Sequence, residues 1–94
     1  MLNKKAISPY IRTAMHSTLH AGHIIRTRVI LDYELILVEG GRCRITIGGT
    51  EHICKKDDVI FLRPDVPHSF ECFDDQDFVQ PHIHFDPVYS SLSE

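Results

Sequence analysis

The chain has 94 residues and a mass of 10.8 kDa, which is the size of one small domain with a single modest core. Its composition is 43% hydrophobic and 24% charged, which excludes a disordered or low-complexity chain. No apolar run approaches the roughly 20 residues that cross a bilayer. The formal net charge of −3 gives no electrostatic reason to expect contact with nucleic acid.

The N-terminal segment fits neither a helical nor a strand period well, so we interpret residues 1–22 as an arm with one short strand around Tyr10–Thr13. Its two lysines have no apolar segment behind them, which is not typical of a secretory signal. From residue 23 onward, β-branched and aliphatic residues dominate, and we assign residues 23–94 to one domain. The strands predicted there are His23–Leu31, Glu34–Glu39, Arg42–Ile47, Thr50–Cys54, Val59–Leu62, Ser69–Phe73 and Phe78–Phe85.

The clearest of these strands is Arg42–Ile47, where apolar and polar residues alternate as in a half-buried antiparallel strand. Gly48 and Gly49 follow at once, which predicts a tight hairpin whose turn needs positive φ angles. No stretch of about ten or more residues has a helical period. The sequence therefore predicts an all-β fold, an antiparallel sandwich or barrel of about seven to eight short strands, and argues against a helix-turn-helix within it.

Cysteine and histidine usage bears on the kind of site to expect. Cys43, Cys54 and Cys72 are odd in number and lack C-x-x-C spacing, which favours neither a disulfide framework nor a zinc finger. We interpret them as small buried hydrophobic residues in a reducing cytoplasm. Seven histidines are more than ordinary usage and raise the question of a metal site. Four of them are predicted to be surface or arm residues without a shared role: His16, His20, His23 and His52.

The most informative signal is a set of five short segments. The first two form one motif that ends in the turn glycines, and the later ones form a second motif. The segments that carry it are Asp32–Leu35, Gly40-Gly41, Asp57-Asp58, Val66-Pro67-His68 and Pro81–Phe85. Together they resemble the two-part signature of a cupin. They are most similar to the N-terminal ligand-sensing (arabinose-binding-like) domains of AraC-type transcription regulators, and the resemblance extends from Arg26 to Phe85.

This resemblance implies an antiparallel double-stranded β-helix, the cupin or jelly-roll barrel, and a non-catalytic domain that binds a small effector inside the barrel. In such regulators the effector is often a sugar or a related metabolite. Binding changes how the arm or the dimer contacts act on a helix-turn-helix DNA-binding domain, so we expect a cytoplasmic homodimer that contacts no membrane. The helix-turn-helix domain is not in these residues, and the segment 86–94 has no closing helix, which suits a chain truncated before that domain.

The resemblance also bears on metal binding. Metal-dependent cupins carry His-x-His and then Glu in the first motif, and a second motif that ends in His. The Glu position falls on Glu34 and the second-motif His on His68, but the His-x-His positions fall on Arg28 and Ile30. A guanidinium cation cannot ligate a metal and isoleucine has no donor atom, so we expect no metal cofactor.

One alternative stays open, because His82 and His84 lie on one face of a strand. If that face is the barrel interior, these histidines could join Glu34 and His68 around a divalent transition metal. The chain would then be a small metal-dependent cupin enzyme, such as an isomerase or a dioxygenase.

Strand alternation predicts which side chains line the interior as a ligand pocket. They are Arg28, Ile30, Glu34, Ile36, His68, Phe70, Gln80, His82 and His84. The guanidinium of Arg28 suits a carboxylate, a phosphate or a vicinal diol, with an ion pair to Glu34 as the alternative. The alternative for His68 is a hydrogen bond to a neighbouring loop.

Overall fold

A computed structural model of the protein describes the backbone of residues 4–92 and the side chains of residues 11–86. The described residues form eight strands and no helix, and every strand pairing is antiparallel. The strands are β1 (Lys4–Leu19), β2 (Ile24–Arg28), β3 (Tyr33–Leu37), β4 (Cys43–Ile47), β5 (Thr50–Cys54), β6 (Val59–Leu62), β7 (His68–Cys72) and β8 (Phe78–Leu92). No described element is a helix that could span a membrane. The all-β prediction is confirmed.

The strands form two four-stranded sheets in the order β1-β8-β3-β6 and β2-β7-β4-β5. From β2 to β8 the chain crosses repeatedly from one sheet to the other, which gives the jelly-roll arrangement. The inward-facing residues of both sheets make one core. Its buried hydrophobic members are Ile36, Val38, Cys43, Ile45, Cys54, Ile60, Leu62, Phe70, Cys72 and Phe78.

Two turns depend on glycine. Gly48 and Gly49 join β4 to β5 with φ angles of 54° and 86°, as the predicted hairpin requires. Gly41 has a φ of 78°, and a Cβ there would collide with the backbone carbonyl of Asp77. Gly41 therefore fixes the close approach between the β3–β4 connection and the start of β8.

The two longest strands differ from the prediction. Lys4–Leu19 is one strand of 16 residues paired with β8, rather than a short strand around Tyr10–Thr13, and β8 continues past Phe85 to Leu92. Strand β1 lies at the edge of its sheet, and Ile11 and Met15 are 53% and 54% exposed, so this described part of β1 has no buried face that would impose alternation. Residues 1–3, 93 and 94, at the outer limits of the predicted arm and domain, lie outside the described residues.

Strand β2 is shorter than the predicted strand and is irregular. Ile25 pairs with Phe70 and Arg28 with His68, so β2 carries one extra residue between these two pairs. An insertion of this kind is a β-bulge, which turns the following side chains away from strict alternation. It places the guanidinium of Arg28 beside His68 at the end of the strand.

Candidate functional site

The centre of the candidate site is Glu34, a carboxylate that faces the interior from β3 and is only 3% exposed. Strand β3 pairs with β8 so that Glu34 lies opposite His84, and Ile36 lies opposite His82. Since alternate residues of a strand point to one face, the two histidines and Glu34 project from the same side of the sheet. The pairing of these two strands thus assembles the cluster.

The ring nitrogens of both histidines lie close to one oxygen of Glu34. His84 Nε2 is 3.5 Å from Glu34 Oε2, and His82 Nε2 is 4.0 Å from the same atom. One donor atom from each of the three residues lies within 4.8 Å of the others. Among the residues whose side chains the structure describes, no other group of three such residues comes together in this way.

The outer nitrogens hold the two rings in place. His82 Nδ1 lies 3.3 Å from the backbone carbonyl of Gln80, and His84 Nδ1 lies 3.1 Å from Asp32 Oδ1. A carbonyl and a carboxylate only accept hydrogen bonds, so each Nδ1 carries the proton. Asp32 was not among the predicted site residues, because nothing in its spacing shows that β8 brings His84 to it.

The second oxygen of Glu34 is unsatisfied. Glu34 Oε1 is buried and has no hydrogen-bond partner among the described residues. The nearest cation is Arg28, whose Nη2 lies 3.9 Å away, too far for a hydrogen bond. A buried acceptor without a donor is costly, typically by about 1–3 kcal/mol. The interior therefore favours a ligand that brings a donor or a cation to this atom.

Arg28 and His68 form a second polar pair beside Glu34. Arg28 Nε donates to His68 Nε2 at 3.2 Å, and His68 Nδ1 donates to the backbone carbonyl of Val66 at 3.1 Å. The bond to Val66 lies in the loop before β7, as the loop alternative for His68 expects. His68 is 1% exposed, whereas the side chain of Arg28 is 42% exposed at the rim. Both ring nitrogens of His68 are thus engaged, and it stands apart from the cluster at Glu34.

The predicted pocket residues fall into three groups. Glu34, His82 and His84 meet, and Arg28 with His68 stands beside them. Ile36, Phe70 and Gln80 are buried, and Ile30 is half-buried against the core. Of the four candidate metal ligands, three converge and His68 is turned to Arg28 instead.

An open depression reaches this cluster from the surface. It has a volume of about 460 Å³, and its lining residues are Arg12, Thr13, Ile30, Leu31, Asp32 and His84. His84 and Asp32 belong both to this depression and to the polar cluster. The depression therefore adjoins the polar cluster on the side of Asp32 and His84.

The cysteines lie away from this site. All three are free and buried, as the sequence predicts, and Cys43 lies opposite Cys72 with 3.8 Å between the sulfur atoms. Burial raises the pKa of the Cys43 thiol strongly, and it also raises the pKa values of Cys54 and Cys72. Protonated thiols are poor nucleophiles, so these residues act as core packing.

Arg42 and Arg44, at and next to strand β4 of the other sheet, are paired with carboxylates. Arg44 contacts Glu51 at 2.7 Å and Glu71 at 2.6 Å, and the hydrogen bond to Glu71 raises the pKa of the guanidinium. Arg42 contacts Asp75 at 2.9 Å and stacks on Phe73. The charges of both guanidinium groups are thus balanced by neighbouring carboxylates.

The outer face of the β1-β8-β3-β6 sheet is apolar. An open groove of about 640 Å³ runs across it, lined by Ala14, Met15, His16, Leu35, Leu37, Val59, Pro81, His82 and Ile83. Next to the groove, Tyr33 stacks on Phe61 and Phe85 with 5.6 Å between ring centroids in each pair. The outer face of this sheet is thus largely apolar, which is uncommon for a sheet face that is exposed to water.

Comparison of the sequence with models of known protein families identifies the family of this domain. The AraC-like ligand binding domain matches residues 14–91. The chain belongs to this family. The resemblance found in the sequence is thereby confirmed, and this AraC-like domain is a ligand-binding domain of the regulatory type. The match begins within the segment interpreted as an arm. No curated protein matches the chain.

Solved structures agree on the fold. The cupin domain of Cnp3 from Schizosaccharomyces pombe superposes with a TM-score of 0.74 at 13% identity, covering 92% of this chain and 69% of that one. A cupin protein from Bacteroides fragilis gives 0.68 at 19% identity, covering 78% and 64%. A cupin superfamily protein from Desulfitobacterium hafniense gives 0.69 at 13% identity, covering 88% and 78%. The AraC-like domain is therefore a cupin barrel.

Proposed function

We propose that this AraC-like domain binds a polyhydroxylated effector, such as a sugar or a sugar acid, in the interior beside Glu34. The observation that carries the proposal is the buried oxygen Glu34 Oε1, which has no hydrogen-bond partner among the described residues. A hydroxyl group can donate to this oxygen and at the same time accept from Arg28, whose Nη2 lies 3.9 Å from it. A vicinal diol or a carboxylate fits the guanidinium fork in the same position.

The shape of the site supports a small ligand. The depression beside His84 and Asp32 has a volume of about 460 Å³, within the range of small-molecule sites. Ile30 and Leu31 provide apolar walls, and Asp32 and His84 provide polar atoms. This mixture of apolar surface and a few placed polar groups suits a sugar ring, which presents both.

We propose that the domain is non-catalytic. The pair of histidines that begins the ligand set of metal-dependent cupins is replaced by Arg28 and Ile30, and Arg28 is committed to His68 through a 3.2 Å hydrogen bond. The four-residue ligand set of metal-dependent cupins is therefore incomplete at these positions. Turnover of a bound sugar by the purified domain would favour the enzyme alternative.

We further propose that the effector signal passes through a homodimer in the cytoplasm to a helix-turn-helix domain outside these residues. The apolar outer face of the β1-β8-β3-β6 sheet supports self-association, because Leu37 and Val59 are 43% and 61% exposed beside each other. A second copy of this face would cover both. The buried free thiols support a reducing compartment.

A thermal-shift screen with monosaccharides and sugar acids, run in the presence of a chelator, tests effector binding. A ligand that binds only the folded domain raises its melting temperature, and we expect a rise of several degrees for at least one compound. Arg28→Ala is expected to remove the rise, whereas Arg26→Ala, on an exposed residue of the same strand, should keep it. A rise that survives in Arg28→Ala would exclude this site.

A further inference from the structure

We propose that Glu34, His82 and His84 bind one divalent transition-metal ion at the inner end of the depression beside Asp32. This inference goes beyond the proposed effector binding and does not depend on it. Two imidazole nitrogens and one carboxylate oxygen come from paired positions of β3 and β8, within 4.8 Å of one another. Of the four positions that hold the metal in metal-dependent cupins, which here are Arg28, Ile30, Glu34 and His68, only Glu34 belongs to this proposed site.

The orientation of the two rings suits a cation. His82 Nδ1 and His84 Nδ1 face the carbonyl of Gln80 and the carboxylate of Asp32, which accept but do not donate. The other ring nitrogen of each histidine, Nε2, faces Glu34 Oε2 at 4.0 Å for His82 and 3.5 Å for His84. In the tautomer with the proton on Nδ1, each Nε2 presents a lone pair, which is the form of imidazole that ligates a metal.

The spacing suits a metal ion. A first-row ion lies about 2.1 Å from imidazole nitrogen and carboxylate oxygen, which puts neighbouring ligand atoms about 3.0–3.4 Å apart. The observed 3.5 Å between His84 Nε2 and Glu34 Oε2 is close to this range, whereas the 4.0 Å between His82 Nε2 and Glu34 Oε2 is longer, so His82 must move inward when an ion binds. His84, whose side chain is 20% exposed, lines the depression, so an ion can reach the cluster there, and the side chain of His82 is 12% exposed.

The surroundings of the cluster are those of a metal site. Histidines that ligate metals usually donate the other N–H to a carboxylate or a backbone carbonyl, which fixes the ring and makes the ligand nitrogen more basic. Asp32 does this for His84, and the carbonyl of Gln80 does it for His82. The buried, unpartnered Glu34 Oε1 is a further donor atom at the same place.

The donor set favours particular ions. Imidazole suits zinc, iron, nickel and copper, whereas magnesium and calcium prefer oxygen ligands alone. Three protein ligands leave coordination positions for water or for an oxygen of a bound molecule. Because Asp32 and His84 also line the depression, those positions lie on its side of the cluster.

Metal titration of tag-free, chelator-stripped protein tests the inference. Calorimetry with Zn²⁺ should give a stoichiometry of one ion per chain, and Mg²⁺ should give no heat. Co²⁺ should produce visible absorption bands of a nitrogen- and oxygen-ligated ion, a readout that needs no variant.

His82→Ala and His84→Ala should each abolish tight Zn²⁺ binding. Asp32→Asn, which leaves all three ligands, should weaken it by about 10–100-fold.

A matched control separates this site from adventitious binding. His52 is an exposed histidine of β5 in the other sheet, so His52→Ala should bind Zn²⁺ as the wild type does. Absence of Zn²⁺ heat and Co²⁺ bands in the wild type would overturn the inference. Equal Zn²⁺ affinity in His84→Ala and wild type would also overturn it, because the ion would then sit on surface histidines. The sugar screen in chelator is scored separately, so either proposal can fail alone.

Discussion

Arg28 Nε donates to His68 Nε2 at 3.2 Å, which joins the rim of β2 to the buried start of β7. The hydrogen bond from His68 Nδ1 to the backbone carbonyl of Val66 fixes the orientation of the imidazole ring. The orientation of the guanidinium toward Glu34 therefore depends on a buried histidine that lies outside the cluster at Glu34. In this arrangement His68 is a positioning residue.

Removing His68 should affect both stability and effector binding. His68→Ala deletes a fully buried side chain with two hydrogen bonds, and we expect a loss of about 1–3 kcal/mol in the free energy of unfolding. Urea denaturation measures this loss. Arg28 then loses its support, so any effector that raises the melting temperature should bind more weakly. His52→Ala, at an exposed position, should stay within about 0.5 kcal/mol of the wild type; an equal loss in both variants contradicts the role of His68.

Gly41 should be intolerant of any side chain. Gly41→Ala combines a positive φ with a collision between the new Cβ and the carbonyl of Asp77, and we expect destabilisation of more than about 2 kcal/mol. Gly49→Ala has the same kind of φ but nothing near its Cβ, so it should cost only about 1 kcal/mol. Similar denaturation midpoints for the two variants would show that the close approach at Gly41 is unimportant.

The buried thiols should be unreactive in the native domain. Burial raises the pKa values of Cys43, Cys54 and Cys72, so little thiolate is present and access is restricted. In Ellman's assay at mildly alkaline pH, all three should react at once in guanidinium chloride and far more slowly in the native state. Fast native labelling would mean that the core opens readily.

The same shift predicts how stability depends on pH. The unfolded Cys43 thiol ionises near its ordinary value of 9.0, while the folded thiol stays protonated to a higher pH. The folded state then holds a proton that the unfolded state has lost, so the free energy of unfolding falls as the pH rises above 9.0. Cys43→Ala should flatten this fall in urea titrations, and an identical pH profile in variant and wild type contradicts the assignment.

Dimerisation should depend on the apolar outer face of the β1-β8-β3-β6 sheet. Leu37→Asp and Val59→Asp place a charge at neighbouring exposed positions, so the fold should survive while self-association is lost. Sedimentation equilibrium should show a dimeric wild type and monomeric variants. Ile53→Asp is the matched control, since Ile53 is 48% exposed on the other sheet and should leave the dimer intact. A monomeric wild type would refute the self-association proposal.

Strands with a strong period and clear turn residues could be predicted from the sequence. Thr50–Cys54 and Val59–Leu62 have the predicted bounds, because glycine or charged turns flank them, and in Val59–Leu62 the alternation of exposed and buried residues adds a second signal. Lys4–Leu19 could not be predicted at full length, since its residues 11–16 are all exposed and therefore give no alternation of apolar and polar positions.

The sequence could predict which residues of the candidate site share one face of the sheet, but not which of them contact one another. Alternation put Glu34, His82 and His84 on one face, and the structure brings their ligand atoms within 4.8 Å of one another. It could not tell which residue lies opposite which, because this depends on the β3–β8 register that long-range packing sets. For the same reason His68 was grouped with the candidate ligands although it bonds Arg28, and Asp32 was missed.

The central claim is that a polyhydroxylated effector is held by the buried carboxylate of Glu34. The most direct test is a calorimetric titration of the compound that gives the largest thermal shift into wild type and Glu34→Gln, with circular dichroism confirming that both are folded. Hydrogen bonds to a charged acceptor contribute about 1.5–3 kcal/mol, so the account predicts binding weakened by about 10–100-fold in Glu34→Gln. Unchanged affinity would place the ligand elsewhere and contradict the account.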